Sequence, residues 1–199
     1  MLVWRFPEPM RTVSSGMLGG GITDSIWVLN AQVRSDYART DPAAHLADIA
    51  AGHHLPAGPG VGLLTAAQVQ RVATGIDGAV RCDATVGVSY PTWAAAPDGD
   101  PLPVAPWRPG TVNIVCQLPV PLTDAALVGA VITATEAKTQ ALIEGGMPGT
   151  GTASDAIVIC APLAGRGGSQ IPFAGPRSVW GARLARAVHR AVAQGLRNY

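Results

Sequence analysis

The 199-residue sequence predicts one domain, residues 1–199, of α/β (or α+β) class, with a mixed β-sheet flanked by helices. Three observations lead there. Short apolar runs alternate along the chain with segments of helical period. One run, AIVICA at 156–161, is apolar throughout, as a central strand covered on both faces must be. No internal repeat and no domain break interrupts the order, and this length can bury a sizeable core on its own.

The elements follow in chain order. Residues 10–15 read as a short strand, and MLGGGITD after it as a tight glycine loop. Residues 25–33, SIWVLNAQV, alternate. Trp27, Leu29, Ala31 and Val33 fall on one face, with Asn30 and Gln32 on a polar face opposite. Asp41 and Pro42 have N-cap and first-turn chemistry for a helix that Gly52 can end. VGLL at 61–64 is a buried strand. Thr65 and Gln68 form a capping-box pattern that predicts a helix through TAAQVQRVA. ATVGVS at 84–89 is a further strand. Residues 91–110 carry six prolines and read as a long irregular loop, a covering segment or lid that includes Trp93 and Trp107.

TVNIVCQL at 111–118 alternates, with Val112, Ile114, Cys116 and Leu118 on one face. Thr123 caps the next helix, Leu122 can staple to Leu127, and Gly145 and Gly146 stop it. On its wheel Val128, Val131, Thr135 and Leu142 mark the buried side, with Lys138 and Glu136 at opposite edges. Strand 156–161 follows, then a second glycine loop, AGRGGSQ. A last helix is capped by Ser178 and runs to about Gln194.

Composition narrows the function classes. Charged residues are 14% of the chain, against roughly 25% in an average protein. So apolar a surface favours a homo-oligomer. Net charge is +1, which points away from nucleic acid. Arg183, Arg186 and Arg190 share one stripe of the last helix, a solvated face or an anion or subunit contact. Cys82, Cys116 and Cys160 have no CxxC spacing and lie on strand-like segments, which fits reduced, buried thiols in a cytoplasmic protein. No uncharged apolar run nears the ~18 residues of a membrane span. There is no standard P-loop, HExxH, GxSxG elbow or Cys/His cluster, so no metal or cofactor is expected.

Three polar clusters remain. In SSGMLGGGITD, Ser14, Ser15, Gly19, Gly20 and Gly21 can bring backbone N–H groups close to a ligand, or simply join two strands. Asn30 and Gln32, with Asn113 on a later strand, can bind a ligand's amides or meet water. The third cluster is the helix with Glu136 and Lys138, the chain's only lysine, followed by GTGTASD with Thr150, Thr152, Ser154 and Asp155 at a strand mouth. Lys138 and Asp155 each border apolar structure and need a partner. His189 reads as exposed, opposite Trp180 and Ala191.

The pieces SSGMLGGG, WVLNAQV, VGLLTAA, TVGVS, PGTVNIV, LTDAALVGAVITATEAKTQAL and GTGTASDAIVICAP, in this order over nearly the whole chain, resemble the adenosylcobinamide amidohydrolase family, the CbiZ type. The resemblance implies an enzyme of corrinoid salvage for coenzyme B12 synthesis. It would cut the amide between a corrin propionyl side chain and aminopropanol, releasing adenosylcobyric acid. The corrinoid is substrate rather than cofactor. The alternative is a carrier or sensor that keeps the corrinoid pocket without hydrolysis.

Amide hydrolysis needs a nucleophile, oxyanion stabilisation and a proton for the leaving amine. Two routes are open. Asp155 or Glu136 can activate water, with backbone N–H groups of a glycine loop or of GTGT holding the oxyanion. Or Thr152 or Ser154 attacks covalently, with Lys138 or a carboxylate as base. The first is favoured, because no histidine partner for a hydroxyl is evident. A corrinoid is broad, fringed with amides and partly apolar, so its cleft needs apolar walls and a few amide or hydroxyl partners.

Overall fold

The computed structural model describes residues 1–98, 110–165 and 167–199. Seven strands form one mixed sheet: β1 (Leu2–Ser14), β2 (Gly21–Gln32), β3 (Gly60–Thr65), β4 (Ala73–Asp77), β5 (Val80–Gly87), β6 (Thr111–Gln117) and β7 (Ala156–Pro162). Three α-helices accompany them: α1 (Pro42–Gly52), α2 (Asp124–Glu144) and α3 (Val179–Asn198). The order across the sheet is β3-β2-β1-β7-β6-β5-β4, which puts the all-apolar strand β7 at the centre. The β2/β3 and β6/β7 pairs are parallel and the rest antiparallel.

α2 and α3 pack together over one face of the sheet. Leu127, Ala130, Ala134 and Leu142 meet Leu184, Val188 and Val192 above Cys82, Ile114, Cys116 and Ile159 in one buried cluster. Full burial of each such leucine or isoleucine contributes roughly 1.5–3 kcal/mol. α1 covers Trp27, Leu29 and Ala31 of β2 through Leu46 and Ala50. A third cluster joins Val28, Val61 and Leu63 to Val115, Val158 and Cys160.

This last cluster exists because the sheet curls on itself. β2 and β6 are three strands apart in the order, about 14 Å in a flat sheet. Yet Asn113 Nδ2 donates to Asn30 Oδ1 at 3.0 Å. Likewise Trp4 Nε1 of β1 donates to Asp83 Oδ2 of β5 at 2.8 Å. The curl gives β2 a second buried face. Asn30 is 1% exposed, so the polar face expected for this strand is instead an internal amide junction. There Asn30 Nδ2 donates to Thr85 Oγ1, and Asn113 Nδ2 also donates to the carbonyl of Leu64.

Several elements depart from the sequence reading. β1 begins at Leu2 rather than residue 10, and its pairing with β2 shifts register between Arg5 and Met10, around Pro7 and Pro9. Residues 66–72 make no α-helix. Thr65 ends β3, its hydroxyl accepts from Ala67 N, and only a 3-10 turn, Val69–Arg71, precedes β4. Asp41 does stand before α1, but its carboxylate takes Arg39 instead of capping the helix. The caps at Thr123 and Ser178 form as expected, by accepting from Ala126 N and Gly181 N. The inward face of α2 is rotated from the expected one. Lys138 is buried, while Val128 and Thr135 are exposed, and Val128, Ile132 and Ile143 make an outward apolar stripe. Trp107 and most prolines of the expected lid lie outside the described residues. No helix among the described residues is long and apolar enough to cross a membrane.

Candidate functional site

β7 starts at the middle of the sheet, and the loop Gly149–Asp155 delivers the chain into it from the end of α2. Asp155 organises that loop. Its Oδ1 accepts from Val112 N at 2.9 Å and from Thr152 Oγ1 at 2.5 Å. Its Oδ2 accepts from Thr152 N at 3.1 Å and from the Lys138 ammonium. These four donors occupy the roughly four acceptor positions a carboxylate has. The pair is secluded, with 7% of the Lys138 side chain and 12% of the Asp155 side chain exposed. A buried ammonium and a buried carboxylate each cost heavily alone, which is why they are found together.

Gly151 makes room for the pair. A Cβ there would stand 2.5 Å from Asp155 Oδ2 and 2.6 Å from Lys138 Nζ. Gly149 has a similar reason, since its Cβ would meet the backbone N and O of Thr92 at 2.7 Å. The GTGT pattern therefore records two close approaches.

The hydroxyls around Asp155 differ in what they are free to do. Thr152 is half-buried and bonds only the carboxylate through its hydroxyl among the contacts described. Ser154 is exposed, shares a 2.9 Å bond with Thr111 Oγ1 and donates to Gly110 O at 3.2 Å. The Thr150 hydroxyl accepts from Ala94 N and donates to Thr92 O. Ser15 approaches from β1. Its N donates to Ile157 O and its Oγ accepts from Ile157 N, both at 3.2 Å. A cavity of about 460 Å³, lined by Gln68, Arg71, Gly87 and Ser89 among others, lies close by. Gly110 separates it from Thr152, lying within reach of Gly87 O, Ser89 N and the Thr152 methyl.

Lys138, Thr150, Thr152, Ser154, Asp155 and Ser15 thus gather at the β7 mouth. Ser14 caps the turn beside them by accepting from Gly16 N at 2.8 Å. Asn30 and Asn113 meet each other inside the curl, where Asn113 Oδ1 is buried without a partner among the described residues. Gln32 is exposed and accepts from Val69 N. Gly19 packs against β3 and lines an apolar cavity of about 540 Å³ with Trp27 and Leu55, and Gly20 and Gly21 lie beside it in the chain. Glu136 is exposed on the outer face of α2, turned away from Asp155. His189 pairs with Glu144, and Arg186 and Arg190 are held by Asp77 of β4.

Sequence reasoning missed Thr92, Gly110, Thr111 and the Val112 N–H, all of which hold the mouth together. The backbone of Thr92 and Gly110 carries no signal in the sequence. It also missed Asp83. Burial opposes the charge of this carboxyl, but Arg81, Thr74 and Trp4 outweigh it and hold the group below the usual carboxylate range. Among the described residues no three His, Cys, Asp or Glu side chains come together as a metal-binding set.

Comparison with known proteins identifies the family of the chain. The sequence profile described as adenosylcobinamide amidohydrolase matches residues 1–199. An adenosylcobinamide amidohydrolase of Methanosarcina mazei is 30% identical over 192 residues, covering 94% of this chain and 90% of that protein. One of Halobacterium salinarum is 35% identical over 191 residues, covering 94% of this chain and 80% of that protein. A crystal structure of a Pyrococcus horikoshii protein aligns over 94% of this chain and 72% of its own, with TM-score 0.44 and 14% identity. The full-length profile match and the two relatives place the chain in the adenosylcobinamide amidohydrolase family.

Proposed function

We propose that the β7 mouth is the hydrolytic site and that Thr152 is its nucleophile. As a member of its family, the protein hydrolyses adenosylcobinamide. The reading of the site rests on one observation: all four acceptor positions of Asp155 are filled, and one donor is a half-buried hydroxyl, Thr152 Oγ1 at 2.5 Å. A carboxylate so occupied has no position left for an attacking water. It can, however, take the proton it already shares with Thr152. The structure therefore favours the covalent route over the water route preferred from sequence.

In this account Thr152 Oγ1 attacks the amide carbonyl carbon while its proton passes to Asp155. Lys138 and the Val112 and Thr152 N–H groups keep the carboxylate in place. The tetrahedral intermediate collapses, the C–N bond breaks, and the proton on Asp155 goes to the departing aminopropanol nitrogen. The corrinoid acyl group is left as an ester on Thr152. Water then attacks that ester, gives a proton to Asp155 and releases adenosylcobyric acid as the Thr152 hydroxyl re-forms. Ser154, exposed beside this group, can turn its hydroxyl proton from Gly110 O to the developing oxyanion. Lys138 is a positioning residue, and Glu136 has no part.

The test is release of aminopropanol from adenosylcobinamide, followed by mass spectrometry of both products. Asp155→Asn should lower turnover at least ~100-fold, the scale of an acid–base group. Corrinoid binding with no aminopropanol released over hours would favour a carrier instead.

We also read the chain as a homo-oligomer in a reducing compartment. The outward stripe Val128, Ile132 and Ile143 and the three free, buried cysteines support this. Sedimentation that gives a monomer at working concentration would contradict the first part.

A further inference from the structure

Trp93 lies just outside the sheet and is 52% exposed, although an indole is among the costliest side chains to leave in water. It is held in place by its neighbours. Thr92 N donates to Gly151 O and Thr150 N to Thr92 O, both at 2.8 Å, and Ala94 N donates to Thr150 Oγ1 at 2.9 Å. Thr139 of α2 in turn donates to Thr150 O at 3.1 Å. The close approach of Thr92 requires glycine at 149.

Thr92 and Gly151 form an antiparallel bridge. Trp93 therefore falls opposite Thr150, two residues or roughly 7 Å of extended chain from Thr152. An exposed indole on a braced segment, one side-chain length from the nucleophile, is arranged to meet a flat apolar surface.

We infer that Trp93 is a specificity-determining residue that stacks on the conjugated face of the corrin ring. This holds the corrin at the β7 mouth, and the inference rests on the site reading above. Stacking on the ring is made in ground and transition states alike, so its loss should appear in KM and in Kd rather than in kcat.

The experiment compares wild-type, Trp93→Ala and Trp93→Phe proteins. It measures steady-state kinetics with adenosylcobinamide and equilibrium binding of the product adenosylcobyric acid, which keeps the corrin ring and is not turned over. Trp93→Ala should raise KM and Kd about tenfold and leave kcat within about twofold. Trp93→Phe should recover most of the loss, and the melting temperature should not move. Unchanged KM and Kd in Trp93→Ala would overturn the inference, as would a fall confined to kcat. Binding is read without turnover, so a wild-type protein that binds but does not hydrolyse would defeat the hydrolase reading alone.

Discussion

Replacing Lys138 by methionine isolates the ion pair on which the β7 mouth is built. The two side chains are of similar length, so the change removes the ammonium and leaves the packing around Ala137 and Ala141 nearly intact. Asp155 keeps three donors, Val112 N, Thr152 N and Thr152 Oγ1, but loses its countercharge in a secluded position. Removing one partner of a buried pair costs about 3–5 kcal/mol, and the surviving hydrogen bonds put this case near the lower figure. A chain of this length unfolds with an entropy of about 0.42 kcal/mol/K, so about 3 kcal/mol corresponds to a fall in Tm of about 7 °C. Calorimetry of Lys138→Met measures it. Lys138→Met/Asp155→Asn should lose less than the sum of the two single variants, because the charge left stranded by one change is removed by the other. A fall in Tm of less than about 2 °C for Lys138→Met would show that the pair is not what holds the loop.

Other outcomes follow from the same contacts. Gly151→Ala puts a methyl within 2.6 Å of both Asp155 Oδ2 and Lys138 Nζ, so circular dichroism melting should show destabilisation on the scale of Lys138→Met. Glu136→Gln and His189→Ala should leave turnover within about twofold, since neither side chain reaches Asp155. Asp83 has a folded pKa below its unfolded value. Its contribution to stability is therefore present above about pH 4 and lost as pH falls through the folded value. Asp83→Asn should flatten the acid limb of a stability-against-pH curve, and an unchanged limb would contradict that assignment. The Cys116 and Cys160 thiols are pushed up by burial, so thiol reagent should find little in the native protein and three free thiols after denaturation.

Much of the architecture was legible because local chemistry agreed with the final fold. The all-apolar run at 156–161 is the central strand. The alternation at 111–118 is β6, and Thr123 and Ser178 cap their helices. β4 was missed, although a glycine at the first position of a two-residue loop is a hairpin signal: Asp77 pairs with Val80 around Gly78–Ala79, and Gly78 has φ of 60°. The capping-box pattern at Thr65 and Gln68 favours a helix running into it, and the tertiary demand for a seventh strand prevails. Pro7 and Pro9 hid the first half of β1, because a register shift that admits prolines is not visible in composition.

The candidate site was half legible. GTGTASD was singled out correctly as a strand mouth, and Lys138 and Asp155 as groups in need of partners, which turn out to be each other. The wheel of α2 misplaced the buried face. Its apolar residues surround the helix, so periodicity alone could not say which side the sheet would take. Asn30 and Asn113 looked like a ligand-facing pair because nothing in a strand's alternation reports that its sheet curls back on itself.

The most direct test of the account is the rate of aminopropanol release by Thr152→Val, an isosteric change that removes only the hydroxyl bonded to Asp155. The expected result is a loss of at least ~1000-fold, as when an attacking group is deleted, in a protein that stays folded, with the lost charge-assisted hydrogen bond lowering Tm by about 4–7 °C. Thr152→Ser should retain measurable turnover. Near wild-type release by Thr152→Val would contradict the covalent mechanism and leave Asp155 as a clasp for the loop.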